Sequence, residues 1–107
     1  MLINVRKKGD VVAIKLTSGE EVVGSFQEDT AEGIELRKPL AMAMTPQGPA
    51  LAPWIASADI TQETNMKFNK MHVVAVASVH KPIADAYTQA TTGIDMSLQG
   101  TGATLTT

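Results

Sequence analysis

The stretch Val12–Gly24, read as V-A-I-K-L-T-S-G-E-E-V-V-G, constrains this chain more than any other. Val12, Ile14 and Leu16 alternate with Ala13, Lys15 and Thr17, the period-two pattern of a half-buried strand. Ser18-Gly19 then supplies a tight turn, because glycine takes positive φ without steric cost. Val22, Gly24 and Phe26 resume the alternation on a returning strand. A glycine inside a strand marks a sharp bend or a close backbone approach. The stretch therefore predicts a hairpin whose second arm bends hard enough to serve two halves of a small barrel.

The rest of the chain reads as further short strands. Strand one is expected over 11–17 and strand two over 21–28, followed by a polar turn from Asp29 to Gly33. A third strand begins near Ile34, where Ile34 and Leu36 alternate with Glu35 and Arg37. It continues past Pro39 through Leu40, Met42 and Met44; proline lacks a ladder donor, so a bulge or an edge is expected there. Thr45-Pro46-Gln47-Gly48 fits a reverse turn leading to a return arm over 50–57, and Pro53 again suggests an edge. Ala58–Glu63 is a polar loop, and Met66 and Phe68 flank Lys67 in a short extended piece. Asn69–His72 is a further turn. Val73–Val79 is almost continuously apolar, which predicts a strand covered on both faces. In so small a domain the second cover is most simply another subunit, which makes Val73, Val74 and Val76, with Met42 and Met44, candidate contacts between copies. Ile83, Ala86, Tyr87 and Ala90 then repeat at helical spacing behind Pro82, predicting a helix over 82–92.

The bulk numbers narrow the class. A chain of 107 residues makes one domain and buries about two thirds of its unfolded surface. Residues 1–10 read as a leader, 11–92 as the folded domain and 93–107 as a flexible Gly- and Thr-rich tail. Aromatics are only 4% of the chain, so the core must be aliphatic. There is no cysteine, hence no disulfide framework or thiolate metal site. No apolar run approaches the ~18 residues of a membrane span, and the start lacks a signal-peptide core. A soluble, cytoplasmic protein with no membrane partner is expected. No nucleophile elbow, phosphate loop or dinucleotide fingerprint is present. His72 and His80 lack the further ligands a metal needs. Catalytic residues, metal and cofactors are therefore expected to be none.

Net charge is −2, which argues against bulk nucleic-acid affinity, but the charges are unevenly placed. Six of the eleven acids (Glu20, Glu21, Glu28, Asp29, Glu32, Glu35) fall within residues 20–35, whereas the segment between Glu63 and Asp85 has only Lys67, Lys70, His72, His80 and Lys81 as charged or titratable groups. Gathered on one face, that segment makes a positive surface; scattered, it is solvated charge.

The spacing Ile14-x-Leu16-x-x-Gly19-x-x-Val22-x-Gly24, followed by Phe26 and Asp29, resembles the first motif of the Sm, LSm and Hfq-like family. Asn69-Lys70-Met71-His72-Val73-Val74 stands where that family's second motif turns into its last strand. The string as a whole, including L-A-M-A-M-T-P-Q-G and V-V-A-V-A-S, is similar to short Sm-like proteins of marine phage and metagenomic sequences. The likeness spans about residues 11–79. It implies a mainly β fold: a small, five-stranded, strongly bent antiparallel open barrel, here with a short C-terminal helix. It also implies a homo-oligomeric ring of five to seven subunits, and, for a phage-encoded chain, the cytoplasm of an infected host. The chain departs from the pattern at three points. Thr30-Ala31-Glu32-Gly33 replaces the family's RNA-binding Asp-x-φ-Met-Asn after Asp29, Lys70-Met71-His72 replaces Arg-Gly, and the helix lies at the carboxyl end.

By that resemblance Lys70 and His72, with Asn69 and Lys67, face a central pore, where one lysine per subunit repeats into a belt for phosphates. Arg37 and Lys38 point toward a rim. Trp54 suits either a platform for an unstacked base or an apolar contact in a core or interface. Two functions stay open: a ring that holds single-stranded RNA or DNA without doing chemistry, in processing or chaperoning, and a structural ring that binds protein through its apolar hairpin or tail.

Overall fold

A computed structural model describes residues 6–59 and 65–92 of the chain. The first half of the expected leader, most of the polar loop before Asn65 and the expected tail lie outside the described residues. The described residues form six strands and one helix: β1 (Val11–Leu16), β2 (Glu21–Asp29), β3 (Gly33–Thr45), β4 (Gly48–Pro53), β5 (Asn65–Asn69), β6 (Val73–Ser78) and α1 (Lys81–Thr92), with a single 3₁₀ turn at Lys70–His72. No helix among them is long and apolar enough to cross a membrane.

The sheet is antiparallel and runs β4-β3-β2-β1-β6, while β5 pairs with β3. The long β3 therefore has two partners on one side: β5 along residues 33–37 and β4 along 40–45. The change of partner falls at Lys38-Pro39. Lys38 has φ of 49°, a left-handed conformation uncommon for any residue but glycine, and Pro39 behind it is almost fully buried. The 3₁₀ turn then carries the chain from the β3 side to the β1 side, and the sheet of the described residues is not closed, since β5 and β6 do not pair.

Five strands were expected, with 66–68 as a short extended piece; among the described residues that piece is a further strand, β5. The return arm is shorter than its expected span over 50–57. Pro53 ends β4 there, and Trp54 turns away with its N–H donating to the Pro39 carbonyl at 3.2 Å. The chain rejoins the sheet only at Asn65, as a separate strand beside the other half of β3.

The opening hairpin follows its sequence closely. Val12, Ile14 and Leu16 are buried while Lys15 is exposed, and Gly19 has φ of +94°. The β2–β3 register shifts between Val23 and Ser25, across Gly24. A Cβ on Gly24 would lie 2.9 Å from Leu36 Cβ, so the glycine is there for close approach to β3.

Burial on the two faces of the sheet is unequal. One face carries Val12, Ile14, Leu16, Val22, Phe26, Ile34, Leu36 and Phe68 as a single buried cluster. The other holds a smaller cluster of Val23, Leu40 and Tyr87 under α1. Tyr87 is 4% exposed. Its hydroxyl donates to the Arg37 carbonyl and accepts from Ser25 N–H at 3.2 Å. Burial pushes this phenol up to about 12 from 10.0, against smaller opposing effects of the Ser25 hydrogen bond and the Arg37 charge. Ala86 and Ala90, expected on the packed face of the helix, are exposed. One large ring and the half-buried Ile83 hold α1, rather than a broad apolar stripe.

The two-sided cover expected for β6 is not supplied by the described residues. Val73 and Val76 are half-buried against the larger cluster, whereas Val74 is 64% exposed and Ala75, Ala77 and Ser78 are exposed. Among the described residues β6 is an edge strand that pairs with β1 alone. The register runs from Lys15↔Ala75 to Leu16↔Val73, which leaves Val74 as the extra residue of a bulge.

Candidate nucleic-acid interface

A cleft of about 310 Å³ opens where the β1–β2 turn meets β5 and the 3₁₀ turn. Its floor is aromatic. Phe68 is buried on β5 and Trp54 lies against it, with ring centroids 4.6 Å apart and planes tilted by 48°. This tilt is within the favoured range for aromatic pairs. Trp54 stays half-buried, so part of the indole borders the cleft.

The β1–β2 turn forms one wall. Gly19 donates its N–H to the Leu16 carbonyl at 2.9 Å, which closes the turn. Ser18 Oγ donates to Glu20 Oε1 at 3.2 Å and accepts from Glu20 N–H at 3.4 Å. Trp54 Nε1–H also donates to Glu20 Oε1, at 3.4 Å. The Glu20 carboxylate is thus oriented by two side chains, through contacts long enough to be weak.

The opposite wall comes from β5 and the turn after it. Asn69 caps the 3₁₀ turn: its Oδ1 accepts from Met71 N–H at 2.8 Å, one of the turn-end donors a cap satisfies. His72 is tied to the first wall twice. Its carbonyl accepts from Thr17 N–H at 2.9 Å, and its Nδ1 lies 3.4 Å from Thr17 Oγ1. Lys67 lines the cleft from β5, with Nζ 3.9 Å from Glu32 Oε1.

Four of the seven residues expected to meet nucleic acid therefore converge here: Trp54, Lys67, Asn69 and His72. The other three do not line this cleft. Lys70 turns to the β2–β3 loop, where Nζ pairs with Asp29 and its N–H donates to the Glu32 carbonyl at 3.0 Å. Arg37 is exposed on β3 in register with Asn65. Lys38 donates through Nζ to the Thr91 carbonyl at 3.1 Å, at the end of α1, where a cation meets unpaired helix carbonyls.

Asp29 and Glu32, on the 29–33 loop, stand beside the lysines, pairing with Lys70 and Lys67. These are exposed pairs, each worth about 0–1 kcal/mol. They lower the positive potential of the corner without immobilising its side chains.

The candidate interface residues divide between the two faces. Val73 and Val76 pack toward the larger cluster. Met42 and Met44 line a second, mainly apolar groove of about 390 Å³ with Ala13, Val23 and Ile83. Met44 is 73% exposed.

Sequence reasoning missed Thr17, Ser18 and Glu20 as parts of the cleft. The Ser18-Gly19 pair was legible as a turn. Nothing in spacing places Trp54, which lies 34 residues further on, over the acid that leaves that turn. Among the described residues no group of three or more His, Cys, Asp or Glu is placed to hold a metal. Neither a protein-family model nor a curated protein matches this chain.

Proposed function

We propose that the protein is a non-enzymatic, Sm-like ring subunit that holds single-stranded nucleic acid, as a processing or chaperoning factor. The observation that carries this reading is the aromatic-floored cleft, where Trp54 meets Lys67, Asn69 and His72. Unstacked bases bind on aromatic faces with little sequence preference, while basic groups beside them take phosphates. Repetition around a ring turns one such cleft per subunit into a track. Ring formation draws support from the outer sides of β5 and β6, which have no strand partner among the described residues, since free edges are templates for pairing with another copy.

Labelled single-stranded RNA and DNA, titrated at two salt concentrations against protein of mass fixed by light scattering, test the reading. Binding is expected to weaken with salt. Lys67→Ala is expected to lower the salt slope by about one while leaving the mass unchanged. An assembled ring that binds neither strand at low salt overturns the nucleic-acid role.

A second reading has its own support. Lys67 and Lys70 both stand beside acids, and the methionine-lined groove on the helix side is open. Methionine suits adaptable protein contacts. On this reading the ring is an assembly element whose partner is protein, and the same titration separates the two.

A further inference from the structure

The cleft carries opposite charge on its two walls. The turn wall ends in the Glu20 carboxylate, whereas the β5 wall ends in Lys67 with Asn69 and His72. A nucleotide is bipolar in the matching sense: its phosphate is anionic, and the base edge of guanine presents hydrogen-bond donors. We infer that this cleft selects guanine in a single strand, with Glu20 accepting from the base edge, Trp54 under its face and Lys67 beside its phosphate. The inference rests on the nucleic-acid reading above and adds base identity to it.

Three features support the assignment. Glu20 Oε1 already accepts from Trp54 Nε1–H and Ser18 Oγ, which aims the carboxylate along the edge of the indole, where the edge of a stacked base lies. Oε2 has no hydrogen-bond partner among the described residues, and Glu20 is exposed. A carboxylate also discriminates by chemistry, because it can only accept. Guanine offers N1–H and N2–H₂ side by side, two donors for the side of the carboxylate that Oε2 leaves open. Adenine and cytosine offer one exocyclic amine each next to an acceptor, and uracil a single N–H between two carbonyls. A uracil carbonyl set against Glu20 would meet lone-pair repulsion.

Trp54 is the single tryptophan of the chain, so its fluorescence reports stacking at this site alone. Short RNA strands alternating A with G, A with C or A with U avoid guanine quadruplexes and serve as probes. Binding is followed in parallel by strand anisotropy and by Trp54 quenching. The A/G strand is expected to saturate at about tenfold lower concentration than the A/U strand, the size of one good base-edge contact. Glu20→Gln, at an exposed position, is expected to bring the strands within about twofold of each other. Equal or tighter binding of the A/U strand, or an unchanged ranking in Glu20→Gln, overturns the guanine assignment and leaves the nucleic-acid reading standing. Anisotropy changes without quenching place the strand elsewhere and also overturn it. Binding of no strand removes both.

Discussion

β1 and β6 are neighbours with nearly the same opening sequence, V-V-A-I-K-L against V-V-A-V-A-S. Their burial is opposite. β1 lies between β2 and β6, and Val12, Ile14 and Leu16 are buried. β6 has one neighbour, and none of its six residues is buried. Apolarity alone therefore does not bury a strand; a partner on each side and a layer on each face do. β1, the less apolar of the two, is the one around which the core forms. The surplus apolarity of β6 is left at an edge, where its use depends on what pairs with it.

Truncation gives the largest contrast between the two strands. Ile14→Ala removes most of a fully buried side chain at the centre of the larger cluster and is expected to cost about 2–5 kcal/mol in urea unfolding. Val74→Ala, at a 64% exposed position, is expected to stay within about 0.5 kcal/mol. A comparable loss at Val74 would mean that β6 is covered in solution, as a ring requires, and would erase the difference between the strands as a property of the assembled protein.

The helix side offers a second way to sharpen the contrast. There Tyr87 is the one buried residue of α1, packed with Val23 and Leu40 in a smaller cluster than that of the other face. Its folded pKa of about 12 lies above its ordinary value of 10.0 because burial disfavours the phenolate. The neutral phenol is thus favoured by the fold. Its contribution is intact below pH 10 and is lost as pH rises from 10 through 12, because the unfolded chain releases the proton first. The loss is about 2–3 kcal/mol. Tyr87 is the single tyrosine, so absorbance at the phenolate band follows it directly, and unfolding at stepped alkaline pH reads the stability. Tyr87→Phe is expected to flatten that part of the pH dependence. It is also expected to cost about 1–3 kcal/mol at neutral pH, since Ser25 N–H and the Arg37 carbonyl lose their shared partner.

Much of this fold was legible where sequence pattern is local. The alternation of β1, the glycine turn, the close approach at Gly24 and the helix start near Pro82 each depend on a few adjacent residues. The extended piece at Met66–Phe68 was legible, but its pairing with β3 as a sixth strand was not, because only the tertiary position of Pro39 and Trp54 shows where β4 ends. The missing second cover of β6 was hidden for a related reason: an apolar run reports that burial is favourable, not that this chain provides it. The candidate site was half legible. Asn69 and His72 are joined by one turn, but the meeting of Glu20, Trp54 and Lys67 depends on loop paths that no spacing encodes. Likewise Asp29 and Glu32, grouped with the other acids in sequence, are brought to the lysines by the turns after β2 and β5.

The smallest expected effect concerns what holds the β6 edge until another copy pairs with it. Leu16 N–H donates toward β2, to the Glu20 carbonyl, and Thr17 N–H toward the other side, to the His72 carbonyl. By strand alternation Ala13 and Lys15 face β6, opposite Ala77 and Ala75, and Val76 and Ser78 direct their backbone groups away from β1. Arg6 takes the outward carbonyl of Val76, with Nη2 at 3.0 Å. With the bulge at Val74, this is how an edge strand is commonly protected. β4, at the other end of the sheet, is protected differently. Pro49 and Pro53 face Met44 and Leu40 in register, and proline is tolerated there because its nitrogen points outward, where it offers no donor. The β6 guard is a movable side chain, whereas the β4 guard is fixed. Arg6→Ala should therefore change monomer stability by no more than about 1 kcal/mol while raising the mass measured by light scattering at a given concentration. Adding Val74→Lys to that variant should reverse the gain, because a charge on the edge opposes pairing. An unchanged mass in Arg6→Ala would mean that Arg6 does not hold the edge, and that the contrast between β1 and β6 persists whatever surrounds the chain.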